Sequence, residues 1–205
     1  MYKRQVPNGV DLERFTPSLE STSDVTDKPK VIFLGRLWEQ KNPQSFVKAA
    51  ISILKDSGAI ADFTLYGEGP EANLLNEMIE KSGYSDSIFV KKWSSKVAEL
   101  LRESDILVLP SRWEGLPLVL IEGAAAGIAR VASDIPGNRD CISHGVDGLL
   151  VELENDSELQ DAIHSLIESI KLRTQFGIAA RRRAEQEFNI DDRMQKMETI
   201  YLSLL

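Results

Sequence analysis

Cysteine is nearly absent from these 205 residues; Cys141 stands alone. An internal disulfide and any Cys-rich zinc site are therefore excluded. Histidine is almost as scarce. His144 and His164 are the only two, too few for a His-based metal cluster, and neither sits in an acid or nucleophile pattern. Long hydrophobic runs are missing as well. The longest reach about five to eight residues, far short of the ~20 needed to span a bilayer. Residues 1–14 are polar and charged and lack the apolar stretch of a signal peptide. Ser111 has no Gly-x-Ser-x-Gly surround, which disfavours a hydrolase triad. Neither glycine-rich loop matches a dinucleotide fingerprint or a Walker A loop. No Asp-x-Asp triplet occurs, which removes one common metal-holding motif. Positive charge is in deficit, with 24 Lys+Arg against 32 Asp+Glu and a net charge of −8. That balance disfavours general nucleic-acid binding, while leaving room for a local basic pocket around an anion.

What remains is ordinary globular composition, 42% hydrophobic and 27% charged, enough for a sizeable core. At roughly 150 residues per domain the length suits one α/β domain and not two full ones. Short apolar runs at Val31–Leu34, Phe63–Tyr66, Ile88–Val90, Ile106–Pro110, Arg130–Ser133 and Gly148–Val151 read as six strands. Between them lie segments of helical period. Pro43 opens a helix with Phe46, Val47, Ala50, Ile53 and Leu54 on one face. Leu74, Leu75, Met78 and Ile79 mark a second, closed by Gly83. Val97, Leu100 and Leu101 give a short third, and Leu116–Ala126 a buried one. From Ser157 onward the chain reads as helical. One stripe carries Leu159, Ile163, Leu166, Ile167 and Ile170. A second carries Leu172, Phe176, Ile178 and Ala179, and a third Met194, Met197, Ile200, Tyr201 and Leu204. This alternation predicts a doubly wound, mostly parallel six-stranded sheet with C-terminal helices. Residues 1–30 read as a lead-in segment and linker, with Pro17–Pro29 the flexible part, and 31–205 as the Rossmann-like domain. In such sheets ligands bind beyond the carboxyl ends of the strands.

Two constellations fall in those loops. Ser111-Arg-Trp-Glu-Gly-Leu-Pro-Leu-Val-Leu-Ile-Glu122 joins a buried strand to a buried helix. Gly115 lets a ligand approach the backbone, and Pro117 suits the first helical turn. The free amides near Leu116 and Leu118, with the helix dipole, suit a phosphate. Glu114 and Glu122, eight residues apart, can offer carboxylates to a vicinal diol; a capping Glu114 and a partly solvated Glu122 are the plainer alternative. The second constellation is Gly35-Arg36-Leu37-Trp38-Glu39-Gln40-Lys41. Arg36 supplies a planar fork and Lys41 a mobile point charge, a pair able to neutralise a diphosphate. Taken alone, two surface cations by a turn are the simpler reading. Gly67-Glu68-Gly69-Pro70 reads as a turn feeding a helix. Arg181-Arg182-Arg183 reads as a solvated helix face rather than an anion site.

With these residues in order, the chain resembles the C-terminal half of a family-4 retaining glycosyltransferase of the GT-B fold. Pro7-Asn8-Gly9-Val10-Asp11, Gly35-Arg36-Leu37 with Lys41, Gly67-Glu68-Gly69-Pro70, Ser104-Asp105 to Ser111, Glu114-x7-Glu122 and Gly145–Val151 carry the resemblance over nearly the whole chain. Glu-x7-Glu is its most specific part. The resemblance implies a UDP- or GDP-sugar donor and no cofactor or metal. Arg36 and Lys41 would hold the diphosphate and stabilise its departing charge. Glu114 would contact the transferred sugar, and Glu122 the ribose. Gly35 and the stretch Gly115, Leu116, Pro117 and Leu118 would complete the donor site, with Gly67, Trp93 and Val97 toward the nucleobase. Arg36, Lys41 and Glu114 are thus the expected catalytic residues.

The family pattern is broken in places. Val90-Lys91-Lys92-Trp93 replaces a common glycine, Ile128-Ala129-Arg130-Val131 a Pro-Val-Val run, and Pro136–Asp140 a Gly-Gly and Glu. The N-terminal domain that supplies an acceptor site and a catalytic histidine in the family is not among these residues. The resemblance therefore implies a partner domain, in cis or in trans, and little activity alone. It also implies cell-surface glycan synthesis in the bacterial cytoplasm, with any membrane contact made peripherally at the inner face through the other domain. No nucleic-acid partner is expected. A non-catalytic module or split-enzyme subunit, docking through Ile200, Tyr201 and Leu204, is the competing reading. A sugar-nucleotide epimerase fits the Glu-x7-Glu pattern less well.

Overall fold

The computed structural model describes residues 6–18, 28–58 and 60–203. Residues 19–27 of the expected linker, the first five residues and Leu204 of the last stripe lie outside that set. Six strands form one sheet: β1 (Lys30–Leu34), β2 (Asp62–Tyr66), β3 (Ile88–Lys91), β4 (Ile106–Leu109), β5 (Ala129–Ser133) and β6 (Leu149–Val151). Their order is β3-β2-β1-β4-β5-β6, and every pairing is parallel. β1 pairs with β2 on one side and β4 on the other, with Val31 opposite Ile106. The chain reverses direction across the sheet between β1 and β4, and at such a switch point the loops leaving the strands part to form a crevice.

The strands alternate their side chains between two cores, as a period of two requires. Val31, Phe33, Phe63, Leu65, Ile106 and Val108 face one side. There α1 (Pro43–Ser57), α2 (Ala72–Ser82) and α6 (Asp156–Glu168) cover them with Phe46, Ile53, Leu75 and Ile163. Phe46 lies between Phe33 and Phe63, with centroids 5.9 and 6.0 Å away. Ile32, Leu34, Leu107, Leu109 and Ala132 face the other side. The helices there include α3 (Val97–Arg102), α4 (Leu118–Ala125) and α7 (Ile170–Glu187). β4 has no exposed residue because both its faces are covered, the usual condition of a parallel central strand.

Four expectations shift. The lead-in segment before residue 30, where described, is packed on the domain and not merely a linker. Val10 and Phe15 are buried in the second core, and Val10 pairs with Phe188 and Ile190 through the backbone. The buried face of α7 is Phe176, Gly177, Ala180 and Ala184, whereas Ile178 is exposed. Small residues on that face let α7 lie close to α4, which explains why Ile178 points away. Arg181 and Arg183 are not a solvated face. The Arg181 guanidinium donates to the carbonyls of Phe15 and Ala125, and Arg183 to Asp140 O and the Asp147 carboxylate. Finally, α8 (Ile190–Leu202) buries none of its residues, leaving Met194, Met197, Tyr201 and Leu202 exposed.

Candidate functional site

The loops at the carboxyl edge of the sheet are tied to one another. A 3₁₀ turn, Glu39–Lys41, sits between β1 and α1. The amides of Gly35 and Leu37 donate to Tyr66 O and Glu68 O, so the loop after β1 leans on the loop after β2. Gly67 is required there, since a Cβ would stand 1.9 Å from Gly35 O. On the other side Arg112 N donates to Gln40 O, at 2.8 Å. The Gln40 carboxamide donates to Trp113 O at 3.1 Å. The short helix α5 (Pro136–Arg139) presses on this loop from beyond β5. A Cβ at Gly137 would lie 2.5 Å from both Glu114 O and Gly115 O.

This arrangement brings Lys41 and Glu114 together. Their Nζ and Oε1 are 2.5 Å apart, with the side chains 16% and 7% exposed. An ammonium has three donors, and Glu114 is the one hydrogen-bond partner of Nζ among the described residues. Arg36 is exposed, donates to Gln40 Oε1 at 2.9 Å and lies 5.9 Å from the Trp38 ring. Beside them is the start of α4. Pro117 is its N-cap, in extended conformation (φ −72°, ψ 109°), and not part of the first turn as expected. Its ring already lacks the donor a helix start cannot satisfy internally. The helix begins at Leu118, so Glu114 to Leu116 are loop. Glu114 and Glu122 therefore do not share one helix. Leu118 is exposed, and a Cβ at Gly115 would meet nothing within 4 Å, so the loop offers open space above the helix end.

Glu122 lies farther along α4, half-buried. Burial holds its carboxyl above the usual range, and the Arg14 charge opposes that. No hydrogen bond ties it to Lys41 or Glu114. Trp38, Trp93 and Trp113, the three tryptophans of the chain, are 50%, 51% and 55% exposed on the loops after β1, β3 and β4. Val97 is only 8% exposed and packs in the second core. Its side chain therefore serves the core, against the expectation that it faces a nucleobase.

A second charged cluster went unrecognised in the sequence. Arg130, on β5, is fully buried. It donates to Leu120 O, Cys141 O and Asp147 O at 3.0, 2.9 and 2.9 Å, and lies 3.4 Å from the Asp147 carboxylate. Asp147 also accepts from Ser143 N and Arg183. Burial lowers the Arg130 pKa against the pull of Asp147. The cluster joins α4, the end of α5 and the turn before β6, so it braces the scaffold under the site. One arginine in the apolar run Ile128–Ala132 was the available signal, because an unpaired charge is not buried in such a run. Gln40 was also missed. A glutamine between two charged residues carries no pattern until the facing loop is known.

A six-stranded parallel Rossmann-like sheet with its charged loops at the β1/β4 switch point places the chain among domains of the GT-B type. The chain belongs to the glycosyl transferases group 1 family, whose model matches residues 17–183. It is 32% identical to the UDP-Gal:alpha-D-GlcNAc-diphosphoundecaprenol alpha-1,3-galactosyltransferase of Escherichia coli, over 98% of this chain and 54% of that one. It is 33% identical to the D-inositol 3-phosphate glycosyltransferase of Paenarthrobacter aurescens, over 87% of this chain and 46% of that one. The chain thus spans about half the length of the curated relatives it matches. Among solved structures, the C-terminal domain of a glycosyl transferase group 1 protein of Francisella tularensis superposes with a TM-score of 0.79 at 24% identity. It covers 89% of this chain and is itself covered completely. An Anabaena protein solved in complex with UDP gives 0.86 at 21% identity, over 98% of this chain and 57% of that one. Among the described residues, no helix is long and apolar enough to cross a membrane.

Proposed function

We propose that this chain is the donor-binding domain of a retaining glycosyltransferase that transfers a hexosyl group from a UDP- or GDP-sugar. The observation that carries the reading is the Lys41–Glu114 pair at the β1/β4 switch point, with the exposed start of α4 beside it. Lys41 shares one proton with Glu114 and keeps others for a diphosphate oxygen. Arg36 adds a second cation, and the first amides of α4 add oriented dipoles. Together they stabilise the negative charge that grows on the leaving diphosphate as the sugar–phosphate bond breaks, without a protein nucleophile. In this reading Glu114 accepts from a sugar hydroxyl, and Glu122 from the ribose. Gly67, Trp93 and the backbone at Val97 border the nucleobase. No cofactor or metal is given a role.

The Escherichia coli relative is named for a UDP-sugar and a diphosphoundecaprenol acceptor, and the Anabaena neighbour was solved with UDP. Both support a nucleotide-sugar donor, and the lipid-diphosphate acceptor in the Escherichia coli name supports a place in surface-glycan synthesis. Acceptor binding belongs to a second domain, in cis or in trans, that would bring any contact with the inner membrane face. The exposed apolar side chains of α8 suit docking of that domain, and the same feature would serve a non-catalytic or split-enzyme subunit. Titration calorimetry with UDP and GDP tests the reading. Binding of at least one is expected, and no binding of either at millimolar concentration contradicts it.

A further inference from the structure

We infer that Gln40 is a positioning residue for Arg36, coupling the diphosphate-side cation to the loop that carries Glu114; the inference rests on the donor-site reading above. Arg36 is exposed and its long side chain carries considerable rotamer entropy. A cation that must meet a diphosphate in one orientation gains from being held beforehand. Two groups hold it here. The Trp38 ring lies 5.9 Å from the guanidinium carbon, and Gln40 Oε1 accepts from Nη2 at 2.9 Å.

Gln40 is itself fixed from the opposite side. Its Nε2 donates to Trp113 O at 3.1 Å, and its backbone carbonyl accepts from Arg112 N at 2.8 Å. The carboxamide has one sensible orientation. Reversed, it would turn its NH2 toward a guanidinium and its oxygen toward a carbonyl, both repulsive. A single side chain therefore reads a donor on one loop and an acceptor on the other. It also sits in the 3₁₀ turn that contains Lys41, so both cations of the site are referenced to the residue before Glu114. Leucine, apolar and one atom shorter, would keep most of the packing and lose both side-chain hydrogen bonds.

The test is calorimetry on the 205-residue chain with UDP and with uridine, GDP and guanosine run in parallel, for Gln40→Leu, Arg36→Ala and the double variant. Melting temperatures are recorded beside them. Loss of a hydrogen bond that orients a charged group predicts about three- to tenfold weaker UDP binding for Gln40→Leu, with uridine binding and melting unchanged. In the Arg36→Ala background the same substitution should cost nothing further, because its partner is gone. An undiminished loss in that background, an equal loss for uridine, or no loss at all while the unsubstituted chain binds UDP, each overturns the inference alone. Failure of the unsubstituted chain to bind either diphosphate overturns the donor-site reading and this inference with it.

Discussion

Two charged clusters in this domain look alike as residue types and differ in what they leave unsatisfied. Arg130 and Asp147 are sealed, 0% and 3% exposed at the side chain. The two Nη atoms of Arg130 serve three carbonyls, and the Asp147 carboxylate is shared with Arg183 and Ser143 N. Lys41 and Glu114 are nearly as buried yet sit at the open edge of the sheet, with an exposed arginine and an exposed helix start alongside. The first cluster is closed to solvent and turns both Nη groups of Arg130 to the fold, leaving only its buried Nε–H without a partner. The second has capacity left for a ligand. Burial of charge alone thus does not separate the two clusters; spare donors at the open edge of the sheet do.

The largest expected effect lies on the sealed side. Arg130→Ala strands three carbonyls and the Asp147 charge, which should cost about 3–5 kcal/mol, read from urea denaturation. A loss within the ordinary scatter of surface substitutions would erase the contrast between the clusters. On the open side, Arg36→Ala should leave stability within ~0.5 kcal/mol. It should weaken UDP binding about ten- to a hundredfold through a lost charge-assisted contact, with uridine binding kept; calorimetry beside melting curves checks both halves. Lys41→Met should do both things at once. It should lower UDP affinity and destabilise modestly, because Glu114 loses the partner that accompanies its burial.

Glu122 sharpens the comparison through pH. Its folded pKa is raised by burial, so the folded chain holds its proton at a pH where the unfolded chain has released it. Stability contributed by this group is complete below the unfolded pKa and is lost as pH rises through the folded one. Glu122→Gln should flatten that part of the stability–pH curve and raise the melting temperature at neutral pH. On the proposed ribose contact of an ionised Glu122, nucleoside binding should fall in the unsubstituted chain as pH drops through the same window. The smallest effect concerns Cys141. Burial pushes its thiol up to about 12, so a thiol reagent should modify it only on unfolding, and rapid native-state labelling would show that the scaffold beside Arg130 opens.

Much of the fold was legible in the sequence because the strands are short apolar runs bounded by Gly, Pro or charge, and the helices keep their period. Val31–Leu34 and Ile106–Leu109 could hardly be other than central strands. The faces of α7 and α8 were misread for a physical reason. Small residues such as Gly177 and Ala180 bury better than Ile178 where two helices approach closely, and α8 has apolar side chains without a core beneath them. At the candidate site, the sequence singled out Arg36, Lys41, Glu114 and Glu122 as residue types suited to a nucleotide-sugar. Their mutual arrangement was not legible. Whether Lys41 meets Glu114 depends on β1 and β4 being neighbours, and Gln40 gains its role only across that same gap. Arg130 signalled by its place in an apolar run that it must be paired, but its partners, three carbonyls and Asp147, come from separate elements that only the fold brings together.

The most direct measurement is a crystal structure of the chain with bound UDP or GDP. The account predicts diphosphate oxygens within hydrogen-bonding distance of Lys41 Nζ and the Arg36 guanidinium at the start of α4, and ribose hydroxyls on Glu122. A nucleotide bound elsewhere, or one whose diphosphate avoids both cations, would contradict it.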